Sequence, residues 1–142
     1  HVSTTRERFE VLMRCKELGI PTLVWMTPIL PFINDTRENI EGLLDYCLQA
    51  GVQGILAFDV GVTLREGDRE YFYKALDRDF PGIRQKYVST YGNTYDIPSP
   101  YAKELMALIQ NTCLANGMLC SPKECFTYLH EFPKRYVQQT LF

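Results

Sequence analysis

The sequence lacks the features that membrane, secreted and nucleic-acid-binding proteins require. Its longest apolar run, residues 20–32, is interrupted by three prolines and is too short to span a bilayer. No basic start followed by an apolar stretch marks a signal peptide. The net charge of -2 provides no overall positive field that would attract nucleic acid. These absences predict a cytoplasmic protein without membrane contact.

Cysteine and histidine occur in patterns that favour neither disulfides nor zinc. There are two histidines and five cysteines, an odd number at irregular spacing: Cys15, Cys47, Cys113, Cys120 and Cys125. Small disulfide frameworks use paired cysteines, and structural zinc sites commonly begin with C-x-x-C, which does not occur here. We therefore expect free thiols that pack as small hydrophobic side chains and no metal ligand in this chain.

The first half of the chain alternates helical and strand patterns. A helix is predicted from Thr4 to Leu18, followed by the apolar run "TLVWMT", which is typical of a buried strand. A second helix is predicted from a cap at Asp35 to Gly51, before the buried strand "VQGILAFDV". This rhythm is typical of parallel α/β folds, in which both faces of the sheet are covered.

The second half is predicted to be mainly helical. A helix over 68–77 should turn Tyr71, Phe72 and Leu76 inward, and an irregular, tyrosine-rich stretch should follow over 87–100. Ser99 and Ser121 each precede a proline, which is the usual start of a helix. The tyrosines of this half are expected to pack helices against the sheet with their hydroxyls outward.

Three motifs in this order and spacing carry a family resemblance. They are "GIPTLVWMTPILPFIND", "AGVQGILAFDVGVTLR", and "FPGI" with "YVSTYG". Together they resemble the second half of radical S-adenosylmethionine enzymes, in the branch that includes spore photoproduct lyase and DNA repair photolyase-like proteins. The fold that this resemblance implies is α/β, a fragment of a partial parallel (β/α) barrel followed by a helical C-terminal extension. The implied segments are 1–82 for the barrel half, 83–132 for the tyrosine-rich loop and helices, and 133–142 for a flexible tail.

The same resemblance implies where the cofactor lies. In parallel α/β proteins ligands bind at the carboxyl ends of the strands. "TLVWMT" would be the fifth strand and "GILAFD" the sixth, so the loops after them would contact S-adenosylmethionine. The implied cofactor-binding residues are Thr27, Pro28, Asn34, Asp35, Phe58, Val60 and Arg65. Each also has an ordinary structural interpretation, such as a turn, a core side chain or a solvated charge.

The cluster motif of that family, C-x-x-x-C-x-x-C, does not occur in this sequence. Three thiolates must hold a [4Fe–4S] cluster before it can reduce the cofactor. The resemblance therefore implies a chain that is catalytically inert alone and binds neither group by itself, because S-adenosylmethionine and the cluster belong to a longer parent that acts as a lyase in DNA repair. The expected partner is a missing N-terminal half of the barrel, and an exposed sheet edge predicts self-association.

Other functions remain open from the sequence. The last residues resemble the Q-x-x-L-F peptides that dock on a sliding clamp, with Gln138, Leu141 and Phe142 as contacts. The alternative function is therefore a non-enzymatic module that binds a partner through this tail. Direct DNA binding has weaker support, because basic residues are sparse around the tyrosines that could stack on bases, Tyr87, Tyr91, Tyr95 and Tyr101. An unrelated α/β enzyme is the third alternative.

Overall fold

The structure, a computed structural model, describes residues 2–131. In this range the chain forms helices and short strands in the order α1 Thr5–Glu17, β1 Leu23–Trp25, α2 Arg37–Ala50, β2 Gly54–Leu56, β3 Gly61–Thr63, α3 Asp68–Asp79, α4 Ile83–Tyr91, β4 Asp96–Pro98, α5 Ala102–Ala115 and α6 Pro122–His130. None of the helices in this part of the chain has both the length and the apolarity needed to cross a membrane.

Local sequence signals account for two helix starts. The Thr4 hydroxyl accepts a hydrogen bond from the Glu7 amide at 3.2 Å, and the Glu7 carboxylate accepts one from the Thr4 amide at 2.6 Å. This reciprocal capping box starts α1 where the spacing predicts it. The Ser121 hydroxyl likewise accepts from the Glu124 amide at 3.1 Å, and Pro122 is the first residue of α6. Both predicted starts are confirmed.

Two other predicted helix caps are wrong. Thr36, not Asp35, caps α2 and accepts a hydrogen bond from the Asn39 amide at 3.2 Å. Ser99 does not cap α5, which begins after Tyr101. The reason is a tertiary contact, because the Ser99 hydroxyl donates to the buried Asp35 carboxylate at 2.5 Å. This bond joins residues 64 positions apart in the chain, so no local pattern reveals it.

The two predicted strands pair in parallel at the centre of the first core. Val24 of β1 lies opposite Ile55 of β2, and Leu119 adds a parallel bridge to Gly54 on the other side of β2. β2 is therefore covered on both sides and fully buried, whereas Trp25 at the end of β1 is 57% exposed. Helices α1, α2 and α5 contribute to the same core, with Ile40, Leu44, Leu105 and Ile109 among its buried residues, and α6 packs against β2.

The predicted fold class is wrong. The described residues form two separate two-stranded sheets, one parallel and one antiparallel, in a helix-rich chain, and they form no partial (β/α) barrel. After β2 the chain does not lead through a helix into another parallel strand. Instead β3 pairs antiparallel with β4, with Val62 opposite Ile97. A strand that pairs back in the opposite direction cannot continue a parallel barrel.

A second core forms where the sequence predicts irregular structure. Residues 87–100 include most of α4 and the whole of β4, so the prediction of an irregular stretch is wrong. Tyr87 is fully buried in this core, and its hydroxyl points inward and donates to the Pro31 carbonyl at 2.8 Å. The prediction of outward hydroxyls therefore fails for Tyr87. Tyr71, predicted to face inward, is 78% exposed, whereas Tyr73 and Leu76 are the residues of α3 that are buried in the core.

The close approach of Leu119 and Leu23 to Gly54 leads to a prediction about stability. A Cβ atom at Gly54 would lie 2.6 Å from the Leu119 carbonyl oxygen and 2.9 Å from the Leu23 Cδ2 atom. We expect Gly54→Ala to lower the free energy of unfolding by about 2–3 kcal/mol, because backbone must move to admit the methyl group. The measurement is urea unfolding followed by circular dichroism.

A matched control is Gly42→Ala in the middle of α2, where a Cβ would meet nothing within 4 Å. Because alanine is the better helix former, this change should raise the free energy of unfolding by about 0.5–1 kcal/mol. If the Gly54→Ala variant and the unchanged chain unfold at the same urea concentration, Leu119 does not approach β2 this closely.

Candidate functional site

A cleft of about 380 Å³ lies where the carboxyl ends of the parallel strands face the antiparallel pair. We call it the strand-end cleft. Thr27 and Pro28, which follow β1, form one side, and Phe58 and Asp59, which follow β2, form another. Its remaining wall comes from β3 and β4: Gly61, Val62, Thr63, Asp96, Ile97 and Pro98. The volume lies within the roughly 300–1,000 Å³ typical of small-molecule sites.

Exposed aromatic rings stand at the mouth of the strand-end cleft. Phe58 is 56% exposed, and its ring centroid lies 5.6 Å from that of Trp25. On its other side Phe58 lies 6.5 Å from the ring of Phe126 on α6. Large exposed aromatic side chains next to a cleft commonly mark a binding surface, because a bound ligand would remove their apolar area from water.

The polar groups of the strand-end cleft are two carboxylates and two hydroxyls. The Val60 amide donates to Asp59 Oδ1 at 2.7 Å, which fixes the Asp59 carboxylate beside the end of β2. Asp96 at the start of β4 is exposed, and Thr27 and Thr63 bring hydroxyls. The arrangement offers hydrogen-bond acceptors and negative charge, so it suits a ligand with hydroxyl donors and a positive charge.

Three of the residues singled out from the sequence meet in this cleft, namely Thr27, Pro28 and Phe58. Sequence reasoning missed the contribution of Thr63 and Asp96. Their strands are three residues long, and their pairing joins segments more than thirty positions apart. No local signal of that pairing is present in the sequence.

The other predicted cofactor residues lie elsewhere. Asn34 closes its own loop, because its Oδ1 atom accepts from the Leu30 amide at 2.6 Å. Asp35 is 3% exposed and bonded to Ser99. Val60 is 1% exposed and belongs to the first core, while its carbonyl accepts from the Ser99 amide at 2.8 Å. These three residues therefore shape the loops around the cleft without lining it.

Arg65 lies on the surface next to the cleft. A hydrogen bond with Tyr95 is the main cause that raises the pKa of Arg65, and the same contact with Arg65 lowers the pKa of Tyr95. Thr63, which lines the cleft, also contributes to the lowered pKa of Tyr95. Arg65 thus lies beside the Tyr95 phenol and carries its positive charge next to the cleft.

The cysteines of the described part do not fit an iron–sulfur cluster. Burial raises the pKa of Cys47 to about 11 and is the first cause that raises the pKa of Cys113 to about 12. Both thiols are buried in the first core, among apolar side chains. Within residues 2–131 no three histidine, cysteine, aspartate or glutamate side chains are grouped as metal ligands. No catalytic step through a cluster can be assigned to these residues.

The tail residues Gln138, Leu141 and Phe142 lie outside the described residues. The sequence-based prediction that they bind a sliding clamp is therefore unaffected by the geometry described here.

Comparison with known proteins gives relatives without an assigned role. The chain is similar to mycobacterial proteins. "Uncharacterized protein Rv2578c" and "Uncharacterized protein MT2655" of Mycobacterium tuberculosis and "Uncharacterized protein Mb2609c" of Mycobacterium bovis are each 28% identical to it over 102 residues. The aligned region is 72% of this chain but 29% of each relative, so the chain spans less than a third of their length. No protein-family model and no solved structure matches the chain.

Proposed function

We propose that this chain forms one wall of the S-adenosylmethionine site of a radical S-adenosylmethionine enzyme, whose cluster cysteines lie outside this sequence. The observation that carries the proposal is the meeting of Thr27, Pro28 and Phe58 in the strand-end cleft. The family resemblance implies cofactor contacts at these positions, which follow two different strands. Their convergence at the carboxyl ends of a parallel pair supports a shared ligand.

The aromatic side of the cleft suits the adenine ring. Phe58 offers an exposed face that is held by its contact with Trp25. Stacking of a base on an aromatic side chain contributes about 1–3 kcal/mol, which is enough to orient a nucleoside. Phe58 is therefore the residue assigned to adenine in this proposal.

The acidic side of the cleft suits the rest of the cofactor. Ribose hydroxyls donate hydrogen bonds to carboxylates in many nucleotide sites, and Asp59 and Asp96 are the carboxylates available here. S-adenosylmethionine also has a positively charged sulfonium, which negative charge attracts. When bound, the cofactor supplies the 5′-deoxyadenosyl group as the reactive species. The residues of this chain bind and orient it, and the aromatic cluster shields it from water.

The reaction class in this proposal comes from the resemblance alone. It is a lyase-type reaction on damaged pyrimidines in DNA. The strand-end cleft therefore accounts for cofactor binding and for nothing further in the reaction.

The test is isothermal titration of the 142-residue chain with S-adenosylmethionine. The resemblance implied no binding by this chain alone, but its own residues line the strand-end cleft. We therefore expect saturable binding that Phe58→Ala weakens by about tenfold, because the stacking face is lost. Asp96→Asn should weaken it by about threefold, because the ribose hydroxyls keep an acceptor but lose its charge. The matched control is Tyr71→Ala, which removes an exposed ring on α3 that does not line the cleft.

Two results would count against the proposal. One is no measurable heat of binding at about 1 mM S-adenosylmethionine, a concentration that detects even weak sites. The other is equal affinity of the Phe58→Ala and Tyr71→Ala variants, which would place the ligand elsewhere.

A further inference from the structure

A second cleft, of about 440 Å³, lies between the start of α2, α4 and α5. We call it the charged cleft. Its walls combine both signs of charge with apolar surface, and it shares no lining residue with the strand-end cleft. The residues that matter here are Phe32, Asp35, Arg37, Lys86, Tyr101 and Glu104. None of these residues lines the proposed cofactor site.

Asp35 provides a buried negative charge to this cleft. Its side chain is 3% exposed, and only its Oδ2 atom receives a hydrogen bond from the described residues, from Ser99 at 2.5 Å. Every fully buried side-chain nitrogen or oxygen in residues 2–131 has a partner. Oδ1 must therefore keep some contact with solvent, and the cleft that Asp35 lines provides it.

No cation in the described part of the chain neutralises Asp35. The ion pairs over residues 2–131 join other side chains, and none includes Asp35. The Asp35 charge nevertheless acts on its surroundings, because it adds to the effect of burial in raising the pKa of Tyr91. A buried carboxylate without a cation is costly, so a ligand that brings an ammonium group would be stabilised there.

The rim of the charged cleft carries Lys86 and Arg37 together with Glu104. Lys86 on α4 is exposed and forms no ion pair among the described residues. Arg37 pairs with Glu41 at 2.8 Å and reaches Glu104 at 3.6 Å, so it is held at the rim by these exposed partners. An anionic group of a ligand would pair with Lys86 without displacing an existing ion pair.

Apolar surface lies between the two charged regions. Tyr101 is 57% exposed and stands at the start of α5, and Phe32 is half-buried on the opposite loop. Phe32 is held in place by edge contact with the buried Tyr87 ring at 5.6 Å. The cleft thus presents one aromatic ring held by its neighbours and one exposed ring, which suit a flat or branched apolar group.

We propose that the charged cleft binds a free α-amino acid with an aromatic or branched apolar side chain. The ammonium group lies against Asp35, the carboxylate against Lys86, and the side chain between Phe32 and Tyr101. A simple anion would meet the unneutralised Asp35, and a simple cation would leave Lys86 unpaired. A zwitterion satisfies both, and the cleft volume lies in the range of roughly 300–1,000 Å³ that small ligands occupy.

The test is a titration of the isotope-labelled 142-residue chain with L-phenylalanine, followed by amide NMR. We expect saturable shifts at Phe32, Tyr101 and Leu105. Two analogues of similar shape isolate the charges: phenethylamine lacks the carboxylate and 3-phenylpropionate lacks the ammonium group. Each should bind about tenfold more weakly than L-phenylalanine, because one charge-assisted hydrogen bond is lost.

Protein variants assign the two charges to their residues. Lys86→Met should weaken L-phenylalanine by about fivefold, because its carboxylate loses its cation, and should leave phenethylamine unchanged. Lys103→Met on α5, also exposed but outside the cleft lining, is the matched control and should change neither. Asp35→Asn should weaken phenethylamine and leave 3-phenylpropionate unchanged. Because Asp35 is buried, Lys86→Met keeps the proposal testable if Asp35→Asn does not fold.

The proposal is overturned if no shifts occur at about 10 mM L-phenylalanine, where even a millimolar site would be largely filled. It is also overturned if both analogues bind as well as the amino acid, or if the shifts cluster at Thr27 and Phe58. S-adenosylmethionine binding does not involve Lys86, so failure here and failure of the proposed cofactor site are distinguishable.

Discussion

Replacing Tyr87 with alanine is expected to lower the free energy of unfolding by about 4 kcal/mol, the cost typical of removing a large ring from a core. Tyr87 is 0% exposed and stands at the centre of the second core. Its ring makes edge contacts with Phe32 at 5.6 Å and Phe72 at 5.4 Å. Alanine would leave a cavity that these two rings, fixed on a loop and on α3, cannot fill.

The hydroxyl of Tyr87 adds a separable contribution. It donates to the Pro31 carbonyl at 2.8 Å inside the core. Tyr87→Phe keeps the ring but leaves that carbonyl without its donor, so we expect a loss of about 1–2 kcal/mol. Since Pro31 belongs to the loop that leads to Asp35, this variant should also weaken ligand binding in the charged cleft.

Urea unfolding of both variants measures these effects, with the slope of the transition checked for constancy. The control is Tyr71→Ala, because Tyr71 is 78% exposed and its loss should change the free energy of unfolding by no more than about 0.5 kcal/mol. If Tyr87→Ala and Tyr71→Ala unfold at the same urea concentration, the second core is not organised around Tyr87.

Replacing Arg69 with methionine is expected to cost about 3 kcal/mol, because a charged donor is removed from several backbone acceptors at once. The Arg69 guanidinium donates to the carbonyls of Leu64, Asn93 and Thr94 at 3.3, 3.2 and 2.5 Å. It also reaches the Gly92 carbonyl at 3.3 Å. One side chain of α3 thereby holds the turn that leads from α4 into β4.

The matched control is Arg78→Met on the same helix. Arg78 is 75% exposed and pairs with its neighbour Asp79 at 2.7 Å, so its removal should change the free energy of unfolding by less than about 0.5 kcal/mol. Arg69→Lys should recover less than half of the Arg69→Met loss of about 3 kcal/mol, because an ammonium group cannot donate to carbonyls spread around a planar fork.

Amide hydrogen exchange tests whether the loss of stability in Arg69→Met is confined to this turn. The Leu64 amide donates to the Tyr95 carbonyl at 2.9 Å, in continuation of the β3–β4 pair. Arg69→Met should speed exchange at Leu64 and Val62 more than at Ile55 in the first core. Equal acceleration at all three amides would mean that Arg69 stabilises the whole chain and not this turn. The effect matters for function because β3 and β4 form a wall of the strand-end cleft.

Local chemistry in the sequence predicted the elements that depend on neighbouring residues. The Thr4 capping box, the left-handed Gly51 at the end of α2 and the Ser121–Pro122 start of α6 all appear where their patterns indicate. The apolar runs "TLVWMT" and "VQGILAFDV" contain β1 and β2, and these strands pair in parallel as the helix–strand rhythm indicates. Hydrogen bonds and burial within a few residues are sufficient to specify such features.

Tertiary contacts decided what these patterns did not specify. Asp35 and Ser99 are residue types that often cap helices, yet their side chains bond each other across 64 positions of the chain. Thr36 caps α2 instead. β3 and β4 are too short to have a readable period, and their antiparallel pairing replaces the expected continuation of a barrel. The resemblance brought Thr27, Pro28 and Phe58 forward, whereas the wall that completes their cleft comes from β3 and β4.

By itself, then, the sequence determined the helix boundaries at Thr4, Gly51 and Ser121 and the two strands at the centre of the first core, because these follow from local caps and apolar runs. Only the tertiary structure decided the fold class, the aromatic second core around Tyr87 and the membership of both clefts. These features depend on which groups from distant parts of the chain meet in the folded state. A buried polar group must form a hydrogen bond, and the packing of the chain determines its partner.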